Sequence, residues 1–163
     1  MTKGALNVNS PSDLLNKFKV ELDSLANNPT DAYAALNAIR DGYHLREWIW
    51  HDILENDPAK KHAVAVTINS ENDWNSWINS GFPNFKLVRE LCNGSKHFTP
   101  DTGDKVTHSY QGGYDIEPLD TTPYDSPGGF NVEISNTSHL NVNQVIKNLG
   151  AFWDNLFKSQ GWS

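Results

Sequence analysis

Arg89, Asn93, Lys96 and His97 are the residues whose types and spacing fit chemistry best, gathered in the segment Arg-Glu-Leu-Cys-Asn-Gly-Ser-Lys-His-Phe at positions 89–98. They fall within about two helical turns of one another. An imidazole titrates near neutrality and can take or give a proton, and a neighbouring lysine or arginine can stabilise an anion. The same residues also have a purely structural reading. Asn93 and Gly94 suit the end of a helix, where Lys96 and His97 answer the negative end of its dipole.

His44, Glu47 and His51 form a second constellation. Spacings of three, four and seven place them on one helical face, with His97 able to approach from another helix, and helical bundles build metal sites from such residues. No matching Glu-x-x-His occurs on a second helix, so the expectation is a polar edge beside Trp48 and no metal site. Cys92 lies on an apolar face with Phe85 and Val88 and reads as a buried small hydrophobe. No phosphate-binding loop, nucleophile elbow, zinc pattern or dinucleotide fingerprint is present, so no cofactor is expected.

The elements that must position these residues are mostly amphipathic helices. Ser10-Pro11-Ser12-Asp13 opens the first: Ser10 caps, Pro11 takes the first helical position and Asp13 favours the positive end of the dipole. Leu15, Phe18, Leu22 and Leu25 make its stripe, and Asn27-Asn28-Pro29 ends it. Thr30 or Asp31 caps the longest helix, whose seam runs through Leu36, Ile39, Tyr43, Trp50 and Ile53 to about Glu55. Its length is on the order of 38 Å, suited to the central member of a bundle. Between Lys60 and Asn69, the run Ala63–Ile68 is compatible with strand or helix. Ser70-Glu71-Asn72-Asp73 resembles a capping box and starts a short helix bearing Trp74, Trp77 and Ile78. Gly81-Phe82-Pro83 separates that helix from the one leading to the polar cluster.

From Thr99 the composition turns to Pro, Gly, Asp and Thr. Val106–Tyr110 and Phe130–Ile134 alternate with period two, as half-buried strands do, around a long loop at Pro118–Gly129. Asn141 caps the last helix, with Gln144 three residues on. Val142, Val145, Ile146, Leu149, Phe152, Trp153, Leu156 and Phe157 form its broad apolar face before Gly161. These signals predict a mainly α single domain over 1–163: a four- or five-helix bundle with a β-hairpin inserted before the C-terminal helix. Residues 1–9 form a loose arm and 99–140 the hairpin and loop insertion.

Thirteen basic against twenty acidic residues, and no dense Lys/Arg stripe, disfavour a stable nucleic-acid partner, DNA above all, and a membrane surface. A transient RNA substrate remains compatible. A single cysteine and the lack of a leader-like start point to a cytoplasmic setting. The wide apolar face of the last helix and the Trp74/Trp77 pair predict a homodimer through helices.

The motif Asn93-Gly94-Ser95-Lys96-His97-Phe98, the segment Tyr43-His44-Leu45-Arg46-Glu47-Trp48 and the tail Phe152-Trp153-Asp154-Asn155-Leu156-Phe157 resemble a set of uncharacterised bacterial and prophage helical proteins. That set resembles in turn the HEPN superfamily, helical bundles whose nuclease members carry an arginine, a polar residue and a histidine four intervening positions on. The resemblance implies that this arginine and histidine act together on an RNA 2′-hydroxyl or scissile phosphate. His97 takes the histidine's place and Asn93 the polar position, but Cys92 falls where the arginine belongs. Many members are inactive and serve as binding or scaffolding units. The expectation is therefore a non-catalytic HEPN-like protein that binds a protein partner or itself, in phage conflict or stress. The alternative is a metal-independent RNase using His97 with Arg89 or Lys96.

Overall fold

The computed structural model describes residues 8–94, 108–112, 129–135 and 138–162 of the chain. Helix α1 (Pro11–Asn27) begins as its sequence dictates, with Ser10 Oγ accepting the Asp13 N–H and Pro11 at the first turn. Its stripe, including Leu14, Leu15, Phe18 and Leu25, is buried. Asp31, rather than Thr30, caps α2 (Ala32–Ile49), its carboxylate accepting the Tyr33 and Ala34 N–H groups. The two helices run antiparallel: Lys17 reaches Asp41, and Glu21, one turn later on α1, meets Asn37, one turn earlier on α2.

The long central helix does not stay α-helical to Glu55. It widens into a π-helical turn at Trp50–Leu54, closed by the Glu55 N–H donating to the Trp50 carbonyl at 2.8 Å. Just before this turn the Arg46 carbonyl accepts from both the Trp50 N–H and the Trp74 indole Nε1–H. The ambiguous segment after it resolves as a further short helix, α3 (Pro58–Val64), followed by extended Ala65. Asp57 caps α3 through the Lys60 N–H, so Asn56-Asp57-Pro58 ends one helix and starts the next. This helix brings the described total to six, against the four or five that periodicity predicts.

Helix α4 (Glu71–Gly81) carries a complete capping box between Ser70 and Asp73. The hydrogen bonds from Ser70 and Asn69 hold the Asp73 carboxyl below its ordinary pKa. Helix α5 is Phe85–Gly94. Strands β1 (His108–Gly112), β2 (Gly129–Ser135) and β3 (Ser138–Asn141) form an antiparallel sheet in that order. The expected hairpin pairs Gly112 with Gly129 and Tyr110 with Asn131, and β3 adds a third strand to it. Of the long loop predicted at 118–129, all but Gly129 lies outside the described residues.

Helix α6 (Val142–Gln160) is capped by Asn141, whose Oδ1 accepts the Gln144 N–H, and ends at Gly161 in the left-handed region at φ 65°. Its apolar face lies against α1, α2 and β2. Trp153, fully buried, donates its indole N–H to the Gly42 carbonyl at 2.9 Å. Gly42 is a point of close approach: a Cβ there would lie 2.8 Å from Leu149 Cδ2 and 3.0 Å from Phe18 Cζ. Trp74, also fully buried, stacks on Trp77, which in turn meets Phe152. Trp74 and most of the α6 face, expected to supply a dimer surface, are thus packed inside one chain, with Trp77 and Phe152 half-buried at the edge. Amphipathic periodicity cannot distinguish such a buried layer from an intermolecular seam.

Candidate functional site

Helix α5 owes its orientation to Phe85, Val88 and Cys92, which recur at helical spacing and are buried. Cys92 has no exposed surface, in agreement with its reading as a small core residue. Arg89, three residues earlier, is exposed and turns back on its neighbour: Nη2 and Nε donate to Glu90 Oε1 at 2.8 and 3.2 Å. Asn93 and Gly94 lie within the helix rather than capping it, Asn93 half-buried and Gly94 exposed. Lys96 and His97 lie outside the described residues, so of the four residues expected to act together the structure places Arg89 and Asn93.

Arg89 opens onto a cleft of about 440 Å³ between α2, α4 and α5, lined chiefly by Tyr43, Arg46, Asn75, Asn79, Lys86 and Arg89. Tyr43 and Arg46 come from α2, one turn apart. Asn75 and Asn79 come from consecutive turns of α4, and Lys86 and Arg89 from consecutive turns of α5. Tyr43 stacks on Phe85 with ring centroids 5.6 Å apart, an apolar floor joining α2 to α5.

Arg46 is the central side chain of this cleft. Its guanidinium lies 5.1 Å above the Tyr43 ring, and its Nη1 donates to Asn75 Oδ1 at 2.9 Å. Asn79 Nδ2 donates to the Asn75 carbonyl at 2.8 Å, along α4. The Arg46 Nε is buried without a hydrogen-bond partner. No carboxylate among the described residues forms an ion pair with Arg46. A half-buried guanidinium held in place by a ring and an amide, with no carboxylate partner among the described residues, can receive an oxoanion.

Sequence reading singles out Arg89 but not the other cleft residues. Arg46 alone carries a local signal. It stands three residues after Tyr43 and four before Trp50, so a cation occupies the apolar seam of the longest helix. Asn75, Asn79 and Lys86 occupy ordinary solvent-facing helical positions, and only the packing of α4 and α5 brings them to Arg46.

The histidines of α2 and its π turn do not converge. His44 Nδ1 lies 3.4 Å from Glu47 Oε2, whereas His51 pairs with Glu55 at 3.0 Å. The Glu55 hydrogen bond raises the pKa of His51. Among the described residues, no group of three or more His, Cys, Asp or Glu side chains is arranged to hold a metal ion. No described helix is long and apolar enough to cross a membrane. Compared with family models, curated proteins and solved structures, the chain matches none.

Proposed function

We propose that the protein is a HEPN-like helical protein of bacterial or phage origin, working in a cytoplasm by binding a partner or itself rather than by catalysis. Phage conflict or stress is the setting the resemblance suggests. The observation that carries this reading is the burial of Cys92. In the resemblance it stands where an arginine would act with His97. Here that position faces the core beside Phe85 and Val88, where an unpaired guanidinium would be costly. The nearest described cation, Arg89, sits one turn away and is engaged by Glu90. Self-association as a homodimer belongs to the same reading. The large apolar side chains left exposed for it on α1 and α2 are Val20, Tyr33 and Leu36.

Two measurements test this. Purified protein is expected to leave single-stranded RNA intact in the presence of a chelator, and light scattering at micromolar concentration to give twice the 18.3 kDa monomer mass. Metal-independent cleavage that disappears in His97→Ala, with an unchanged melting curve, would replace this reading by a metal-independent RNase using His97 with Arg89 or Lys96. A general acid–base residue contributes on the order of 10²–10⁴-fold in rate, so the loss would be plain. A monomer mass would remove self-association.

A further inference from the structure

The geometry points to the cleft between α2, α4 and α5 as a binding site for the phosphate group of a small phosphorylated ligand, held by Arg46, Lys86 and Arg89. The inference names a ligand class for the binding reading above and rests on it for its purpose.

Charge sets the cleft apart. The chain carries a net −7, yet three cationic side chains from two helices line this one cleft. Neutral amides from the third helix, Asn75 and Asn79, complete the wall in place of carboxylates. Arg89 already holds Glu90, whereas no carboxylate among the described residues pairs with Arg46.

The cleft is also preorganised. The Tyr43 ring beneath Arg46 and the Asn75 amide beside it fix the guanidinium before any ligand arrives. Immobilising a flexible side chain on binding costs affinity, so a guanidinium already held in place binds an oxoanion more tightly than a mobile one.

Shape decides the class. A volume of about 440 Å³ lies in the lower part of the range occupied by small-molecule sites. Three cations match a phosphate dianion better than a single carboxylate. A long polyanion needs a continued cationic track, and no dense Lys/Arg stripe exists to continue one. Tyr43 and Phe85 also line the cleft, and they add apolar surface beside the cations for the organic part of a phosphate monoester.

The test is titration of the full chain with inorganic phosphate, phenyl phosphate and acetate at constant ionic strength, followed by calorimetry and by the melting temperature. Phenyl phosphate is expected to bind and raise the melting temperature, inorganic phosphate to bind more weakly, and acetate to do neither. Lys86→Gln with Arg89→Gln should weaken phenyl phosphate about tenfold or more, since hydrogen bonds to charged groups are each worth about that much. Glu90→Gln should tighten it by freeing Arg89, whereas Glu55→Gln, which removes an equal charge at the π turn, should leave it unchanged. Arg46→Gln should abolish binding, and the exposed double variant carries the test if that change unfolds the chain. The inference is overturned by no phenyl phosphate binding, by binding that survives the double variant, by inorganic phosphate binding alone, or by equal tightening in Glu55→Gln and Glu90→Gln. None of these readouts depends on RNA cleavage or on the oligomer mass, which test the binding reading itself.

Discussion

The two flanks of α2 treat charge in opposite ways. On the flank facing α1, Asp41 is buried and its oxygen receives the Lys17 ammonium at 2.5 Å. Nearby, between α1 and α6, Lys19 pairs with Asp154, which also holds Lys158. On the flank facing α4 and α5, little more than one turn along the same helix, Arg46 has a ring and an amide but no carboxylate among the described residues. A buried or half-buried charge is costly unless something answers it. Where the chain supplies the answer, the charge is part of the architecture. Where it does not, the site is available to a ligand. That contrast separates a self-compensated flank from an open one more sharply than residue type does, because both flanks use ordinary Lys, Arg, Asp and Asn side chains.

The largest expected effect lies in the core that both flanks share. Trp153→Ala should lower stability by about 3–5 kcal/mol, as large-to-small core changes do. It removes a fully buried ring and leaves the Gly42 carbonyl without its donor. Chemical denaturation measures this, and a loss under about 1 kcal/mol would mean that α6 is not the closing element of the core.

Next comes the compensated flank. Lys17→Met strands the Asp41 carboxylate and should cost about 1–3 kcal/mol at neutral pH, the range for a buried polar group left without its partner. The pH dependence sharpens the point. Burial raises the Asp41 pKa above 3.8, with Glu21 adding to the rise, while the hydrogen bond and charge of Lys17 and the charge of His44 oppose it. A raised carboxyl means that the folded protein binds a proton more readily than the unfolded chain. Asp41's contribution therefore becomes more favourable as pH falls through its folded value towards 3.8. Asp13, Asp57, Asp73 and Asp154 act oppositely, since hydrogen bonds lower their pKa values and their stabilisation is lost as pH falls below 3.8. In Lys17→Met the Asp41 value should rise further and the stability lost at neutral pH should partly return on acidification. A deficit independent of pH would show that the lysine's methylenes, not its charge, matter.

The smallest stability effect is expected on the open flank. Lys86→Gln and Arg89→Gln change exposed side chains and should shift stability by no more than about 0.5 kcal/mol. Thermal melts that show a loss comparable to Lys17→Met would erase the distinction between the flanks, because these cations would then be part of the architecture too.

What was legible in the sequence was whatever a few neighbouring residues decide among themselves. Ser10 with Asp13, Ser70 with Asp73, Asn141 with Gln144 and the left-handed Gly161 are helix boundaries set by local hydrogen bonding, and each is where its signal places it. The burial of Phe85, Val88 and Cys92 followed from helical phase in the same way. The π turn at Trp50–Leu54 was not legible. Neither was the short helix α3, whose residues Ala63 and Val64 read equally well as the start of a strand. The destination of the α6 face was hidden for a different reason: periodicity shows that a face is apolar, and only tertiary packing shows that α1, α2 and β2 cover it. The cleft is the extreme case. Its wall is assembled from positions 43 to 89 on three helices, and an uncompensated cation is a property of what else arrives nearby. Local chemistry determined the elements and their buried faces. Only long-range packing decided which charges meet a carboxylate among the described residues and which line the cleft.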